Sequence, residues 1–257
     1  VPRLCNYYFT FNLDSGPEAF QDVRVRQALA LAVDRRVITD QVLQGGQFPA
    51  YTFTPAATDN FEPPAVDYAG MSQSERDAKA MDLLAEAGYG KGGEPLSFTY
   101  LYNTSEAHQQ VAIVATQMWK QKLGVKAVMA NQEWKTFLNT RSEQNYEIAR
   151  GAWCGDYNEA STFLDLVHSG SGYNDSKYNN PEVDKLLADA KTMDDMADMV
   201  GEARGEAYFN EFQSVMNEFS AVEEKIMASK SAAAQSTVLN TYITIALCVL
   251  GAVVIGL

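Results

Sequence analysis

Residues 131–158 read NQEWKTFLNTRSEQNYEIARGAWCGDYN and join a helix pattern to a strand pattern and a polar loop. We predict a short helix over residues 134–142 and a strand over residues 146–153. Charged, aromatic and thiol side chains close the stretch: Arg150, Trp153, Cys154 and Asp156. Gly151 and Gly155 lie among them, and a glycine lets another backbone approach closely. The stretch therefore predicts a strand that ends in a site open to main-chain contact.

The charges around this strand suit a small zwitterion in extended form. An exposed strand edge can hydrogen-bond the main chain of a peptide. The carboxylate of Asp156 can accept hydrogen bonds from an ammonium group, and the guanidinium of Arg150 can bind a carboxylate. The alternative for Asp156 is an ordinary solvated loop aspartate. From the residues alone, the solvated loop aspartate is the favoured interpretation of Asp156, and a peptide site stays open.

Strand and helix patterns alternate along the rest of the first 190 residues, which predicts an α/β fold. The predicted strands cover residues 4–13, 96–102 and 125–130, and the predicted helices cover residues 22–43, 72–87, 105–123 and 159–167, with another from residue 181. Asp22 and Asn180 are predicted N-caps. Ser72 and Glu75 have the spacing of a capping box.

The pattern changes near residues 194–200. Residues 205–230 carry an apolar stripe at spacings of three and four, which predicts one long amphipathic helix. Residues 239–257 hold nineteen positions without a charge, long enough to span a bilayer core of about 30 Å. We therefore predict three parts: a lobe over 1–195, a linker and long helix over 196–237, and a transmembrane helix over 238–257.

Composition excludes several function classes. The net charge is −13, so the surface repels phosphate backbones and we expect no nucleic-acid partner. The HExxH, CxxC, P-loop and GxGxxG motifs are missing, and His and Cys do not cluster as metal ligands do. We therefore expect a protein that is not an enzyme and that binds no metal or cofactor. A hydrolase alternative would require turnover that depends on a named Ser or His.

Several ordered motifs in the first three quarters of the chain resemble one family. They are LCNYYF at 4–9, FQDVRVRQALALAVDR at 20–35, FPAYTFTP at 48–55, LLAEAGY at 83–89, LYNTSEAHQQVAIVATQMWKQKLGV at 101–125, and the stretch at 131–158. Together they resemble the periplasmic oligopeptide-binding proteins of bacterial ABC peptide importers, the family 5 solute-binding proteins. The resemblance implies the C-terminal lobe of a type II periplasmic-binding-protein-like fold.

The resemblance also implies a function and a site. In the family, two lobes close on a short peptide and deliver it to an ABC permease, so we expect an incomplete, one-lobe form of such a protein in the periplasm. The implied peptide-binding residues are Asp156, Arg150, Arg141, His108, Asn103, Trp134, Trp153, Cys154 and Tyr157. Surface ion pairing remains the alternative for the two arginines, and core packing remains the alternative for the aromatic residues. Some relatives have a lysine where this chain has Leu43, so preferred peptide length is expected to differ.

The chain has three cysteines. Cys248 lies in the terminal apolar run, which leaves Cys5 and Cys154 as a candidate pair. From the count alone, a bridge and two buried thiols both remain open. The family resemblance implies a disulfide between them, and a disulfide requires an oxidising compartment such as the periplasm.

Residues 205–257 resemble the last periplasmic helix and second membrane helix of a chemoreceptor. The alternative function is therefore a membrane-anchored sensor, held in the inner membrane by its C-terminal helix, whose outer part derives from a peptide-binding protein. A natural fusion, a chimera and a misassembled reading frame all remain open. The chain starts at Val1 without a signal-peptide pattern, so we expect the beginning of the gene product to be missing.

Overall fold

The computed structural model describes residues 4–59 and 61–189, in which four strands form one mixed sheet. The strands are β1 (Cys5–Phe11), β2 (Ser97–Asn103), β3 (Lys126–Gln132) and β4 (Ile148–Cys154). Their order in the sheet is β1-β4-β2-β3. Strand β1 pairs with β4 antiparallel, whereas β2 pairs with both β3 and β4 in parallel. The predicted α/β class is confirmed.

The described residues contain five α-helices with defined limits. They are α1 (Val23–Ala32), α2 (Gln73–Glu86), α3 (Glu106–Met118), α4 (Trp134–Ser142) and α5 (Ser161–Leu164), and residues 181–189 are also helical. Helix α4 has the predicted limits. The predicted capping box at the start of α2 is confirmed, because the backbone N–H of Glu75 donates to Ser72 Oγ and the Ser72 N–H donates to the Glu75 carboxylate.

The prediction of one helix from Asp22 to Leu43 is wrong. Helix α1 ends at Ala32, Val33 is extended and buried, and a separate π-helical segment covers Val37–Leu43. The carboxylate of Asp34 accepts hydrogen bonds from the backbone N–H groups that open this second segment. A short polar side chain that binds nearby backbone groups competes with the continuous helix. Burial of Val33 in the core fixes the break at this position.

The two faces of the sheet have different partners because side chains alternate along a strand. On the first face, Phe9 and Tyr100 contact the buried ring of Trp119, with ring centroids 5.6 and 6.1 Å apart. The Trp119 indole N–H donates to the Leu29 carbonyl oxygen at 2.8 Å, which links the π-helical segment after α3 to α1. On the second face, the buried Phe137 of α4 packs with Leu101 and with other buried residues. Helices α3 and α4 thus lie on opposite faces.

The predicted long helix and transmembrane helix lie outside the described residues, as does the predicted boundary near residue 195. They stay predictions. Within residues 4–59 and 61–189, the structure contains no helix with the length and apolar character needed to cross a membrane.

Candidate functional site

The parallel strands β2 and β4 separate toward their carboxyl ends. Their ladder has only two pairs, Tyr100 with Ile148 and Leu101 with Ala149, whereas β4 stays paired with β1 as far as Cys154. Within residues 4–59 and 61–189, the backbone of residues 150–154 therefore has a free edge on the side of β2. Helix α3 follows β2 on one face of the sheet, and helix α4 precedes β4 on the other face. The place where the connecting helices change face is a switch point, and open α/β sheets bind their ligands at such points. The predicted free strand edge is present.

A group of basic and aromatic side chains lies at this edge on the first face. The Arg150 guanidinium lies 5.3 Å from the centre of the Tyr7 ring, and the His108 ring lies 5.6 Å from the same ring. Arg150 Nε is buried and has no hydrogen-bond partner in the part of the chain that the structure describes. Burial lowers the pKa of the Arg150 guanidinium, against the opposing effect of Tyr7. Because a desolvated cation is costly without a counter-charge, this group suits an anionic guest.

Tyr7 was not singled out from the sequence, although it belongs to the LCNYYF motif. Its hydroxyl lies 3.5 Å from the hydroxyl of Tyr100, and burial raises the pKa of both phenols. Both hydroxyls therefore stay protonated near neutral pH, so that Tyr7 positions Arg150 and His108 without adding a negative charge. The aromatic residues of the LCNYYF motif indicated a strand, but they did not show which of these side chains would lie on the first face of the sheet.

Asp156 lies in the loop that follows β4, and its side chain is exposed. Its carboxylate has no ion pair or hydrogen bond within residues 4–59 and 61–189. The backbone is nevertheless held in place, because the Asp156 N–H donates to Thr162 Oγ1 at 3.2 Å. The indole N–H of Trp153 lies 3.4 Å from the same oxygen. A buried threonine that was not predicted from the sequence thus orders the loop and leaves the Asp156 carboxylate free for a cation.

Arg141 lies on the second face and is not part of the Arg150 group. Its guanidinium forms an ion pair with Asp175 at 2.5 Å and is almost fully buried. The main-chain oxygen of Asp175 also accepts hydrogen bonds from Tyr146 and Gln144. Arg141 therefore forms a buried ion pair and not the surface pair of the alternative, and its role toward a peptide stays a prediction.

The predicted aromatic residues lie around the same end of the sheet with different exposures. The Trp153 ring lies 5.1 Å from the ring of Tyr173. Trp134 is half exposed and stacks on Phe137 at 6.0 Å. Tyr157 is exposed, and its hydroxyl lies 3.0 Å from Ser161 Oγ. Each ring keeps open surface, as the wall of a side-chain pocket requires, and their contact with a guest stays a prediction.

The implied disulfide is confirmed, because Cys5 and Cys154 are bonded. The two residues are also directly opposite each other in the β1–β4 ladder. Beyond the bridge, the Gly155 N–H donates to the Leu4 carbonyl oxygen at 2.8 Å, which extends the pairing toward the loop. The disulfide thus anchors the strand end from which the Asp156 loop departs.

A small cavity of about 190 Å³ lies along β1 and has Tyr8, Phe53, Leu166 and Tyr173 among its lining residues. Neither Asp156 nor Arg150 lines this cavity, although Arg141 does. The volume is below the range of about 300–1,000 Å³ that is typical of small-molecule sites. The free edge of β4 is therefore the better candidate for the peptide site.

Gly151 serves a different purpose from the one expected. A Cβ atom at this position would lie 2.2 Å from a ring carbon of Tyr8, its partner across the β1–β4 ladder. The Tyr8 ring therefore takes the space that the sequence suggested for a guest backbone. The missing side chain keeps the second face closely packed.

We expect Gly151→Ala to lower the free energy of unfolding by about 1–3 kcal/mol, the usual cost of overpacking. Urea denaturation followed by circular dichroism measures this change. The matched control is Gly70→Ala, because Gly70 has negative φ and open space around its Cα, so alanine is expected to be neutral there. Equal stability of the two variants would contradict the role assigned to the Tyr8 contact.

Comparisons with known proteins identify the family of this chain. The family model described as "Bacterial extracellular solute-binding proteins, family 5 Middle" matches residues 1–175. The chain is 49% identical over 191 residues to the periplasmic murein peptide-binding protein MppA of Escherichia coli K12, covering 74% of this chain and 35% of MppA. It is 45% identical over 195 residues to the periplasmic oligopeptide-binding protein OppA of Salmonella typhimurium LT2, covering 76% of this chain and 35% of OppA.

Comparison with solved structures identifies the same class of protein. The solved structure of the Escherichia coli murein tripeptide binding protein MppA superposes with a TM-score of 0.71 at 48% identity, covering 74% of this chain and 37% of that one. This chain spans about a third of the length of these relatives.

Proposed function

Because this chain belongs to the bacterial extracellular solute-binding proteins of family 5, we propose that it binds short peptides at the free edge of β4. Members of this family are binding proteins and not enzymes. The free edge of residues 150–154, with an unpaired carboxylate at one end and a desolvated guanidinium beside it, is the observation that carries the proposal. The main chain of an extended guest would pair with this edge.

The two charged groups would then bind the two ends of the guest. Asp156 would accept hydrogen bonds from the α-ammonium group, while Arg150 and His108 would bind the α-carboxylate. Such charge-assisted hydrogen bonds are about twice as strong as neutral ones. Trp134, Trp153 and Tyr157 would border the side-chain pockets, so that affinity comes mainly from the main chain and termini. We also propose that the protein works in the periplasm, where it would deliver peptides to an ABC permease.

We further propose that the lobe of residues 4–189 forms one side of the peptide site. A binding cleft normally encloses most of the surface of its ligand, whereas one lobe covers only one side. We therefore expect tripeptides to bind with a dissociation constant above about 1 μM. Titration of the labelled chain with trialanine, followed by ¹H–¹⁵N NMR, measures affinities in this range. Absence of shifts in residues 150–156 would overturn the site, and sub-micromolar affinity would overturn the proposal that the lobe forms only one side of it.

The pH dependence of binding tests the part played by His108. Burial lowers the pKa of the imidazole below its ordinary value of 6.5, and the charge of Arg150 lowers it further. A bound carboxylate favours the imidazolium form, so peptide binding raises this pKa and takes up a proton. Affinity is therefore expected to rise as the pH falls from about 7 to about 5.5. The same dependence in His108→Gln would contradict this role.

A further inference from the structure

The loop that carries Asp156, residues 155–160, follows β4 directly and makes two kinds of contact. One is local, because the Asp156 N–H donates to Thr162 Oγ1, six positions further along the chain. The other joins distant segments: the backbone N–H of Asp59 donates to Asn158 Oδ1 at 3.0 Å, across 99 positions of sequence. The middle of the loop is therefore tied to a segment that comes from a different part of the chain.

Residues 50–59 supply that contact, and we call them the brace. The Phe53 ring of the brace lies 4.9 Å from the Tyr8 ring of β1. The Phe53 carbonyl oxygen accepts a hydrogen bond from the buried side chain of Asn6, which also belongs to β1. Strand β1 pairs with β4 along its whole length. The brace is thus fixed to the same pair of strands from which the Asp156 loop departs.

Two guanidinium groups fix the start of the brace. The central carbons of the Arg35 and Arg76 guanidinium groups lie 5.1 and 5.4 Å from the centre of the Tyr51 ring, and a cation at this distance from an aromatic ring is attracted to it. Arg35 Nε also donates to the Ala50 carbonyl oxygen at 2.8 Å. The Tyr68 hydroxyl donates to the Tyr51 carbonyl oxygen at 3.0 Å. The brace is therefore anchored to the lobe at several points before it reaches the loop.

We propose that Asn158 is a positioning residue for peptide binding, which holds the Asp156 carboxylate in place for the ammonium group of the guest. This inference rests on the proposed function and deepens it. A loop that is ordered before the guest arrives loses less conformational entropy on binding, so affinity rises. Asn158 and Asp59 are both exposed and belong to neither hydrophobic core. Loss of their bond is therefore expected to change the order of the loop and to leave the stability of the lobe unchanged.

Titrations of the full 257-residue chain with trialanine test this role. Asn158→Ala removes the acceptor, and we expect it to bind trialanine about three- to tenfold more weakly, as the loss of one hydrogen bond allows. Its urea midpoint is expected to match that of the native chain. ¹⁵N relaxation of the free protein is expected to give a lower order parameter at the Asp156 amide, because the loop moves more. Asn179→Ala replaces another exposed asparagine and is the control, which keeps both affinity and order.

Asn158→Asp separates the hydrogen bond from the other properties of the side chain. Its carboxylate keeps the acceptor oxygen, so the order parameter of the Asp156 amide is expected to return to the native value. This readout concerns the free protein, so the attraction between the added charge and the guest does not enter it.

The outcomes distinguish the positioning role from the proposed function. Native affinity or a lowered urea midpoint in Asn158→Ala overturns the role alone, and so does a loop in Asn158→Asp that is as mobile as in Asn158→Ala. Absence of trialanine binding by the native chain overturns the proposed function, and the positioning role with it.

Discussion

Asp156→Ala is expected to abolish detectable peptide binding. The variant removes the only carboxylate that the proposal assigns to the guest's ammonium group, and a hydrogen bond to a charged group contributes enough to change affinity roughly ten- to hundredfold. Because the native chain is already expected to bind the peptide weakly, a further loss of this size leaves a titration that does not reach saturation. The NMR titration with trialanine measures the change, and Asp156→Asn repeats it with side-chain size retained.

Asp82→Asn is the matched control for this result. Asp82 is an exposed aspartate on α2, so its replacement changes net charge by the same amount. The control distinguishes a specific contact from a general electrostatic effect of the acidic surface. Unchanged affinity in Asp156→Ala, measured by NMR or calorimetry, would refute the assignment of the ammonium site. N-acetylated trialanine gives an independent check, because it should bind the native chain no better than trialanine binds the variant.

Removal of the disulfide is expected to have the largest effect on stability. Cys5 and Cys154 are 149 positions apart, and closing a loop of that length restricts the unfolded chain strongly. The entropy model gives about 5 kcal/mol, and measured values are often lower. We therefore expect the Cys5→Ser/Cys154→Ser double variant to lose about 3–5 kcal/mol in free energy of unfolding, as measured by urea denaturation.

Cys248→Ser is the control for the disulfide variant, since Cys248 is the remaining cysteine of the chain. Its denaturation midpoint should match that of the native chain. Dithiothreitol should lower the midpoint of both the native chain and the control toward that of the double variant. A double variant as stable as the control would show that the bridge adds nothing to the stability of the lobe.

The order of helices and strands could be predicted well because its signals are local. The capping box of Ser72 and Glu75 and the helix of residues 134–142 depend on neighbours within a few positions, and both are confirmed. The break after Ala32 was missed, although the Asp34 carboxylate, which binds nearby backbone N–H groups, is a local signal for it. The burial of Val33 and the hydrogen bond from the Asp34 N–H to the distant sulfur of Met118 are not visible in the local pattern.

In the candidate site, too, some features could be predicted from local sequence and others depend on distant contacts. Motif resemblance pointed to Asp156, Arg150 and His108, and a short stretch of sequence contained two of them. The ring of Tyr7 under the Arg150 guanidinium and the Thr162 hydroxyl under the Asp156 loop were missed. Nothing in the local pattern around either residue indicates such a contact, because each partner comes from a different part of the chain or from the far side of a turn.

By itself, the sequence determined the α/β class, the residue types of the proposed peptide site and, through family resemblance, the disulfide. These depend on residue type and short-range spacing. Only the tertiary structure decided that β4 lies between β1 and β2, that its pairing with β2 stops after two residues, and that Arg141 is bound to Asp175. Strand order and the ends of a ladder follow from packing between segments far apart in the chain, and no local pattern records which backbone groups that packing leaves free.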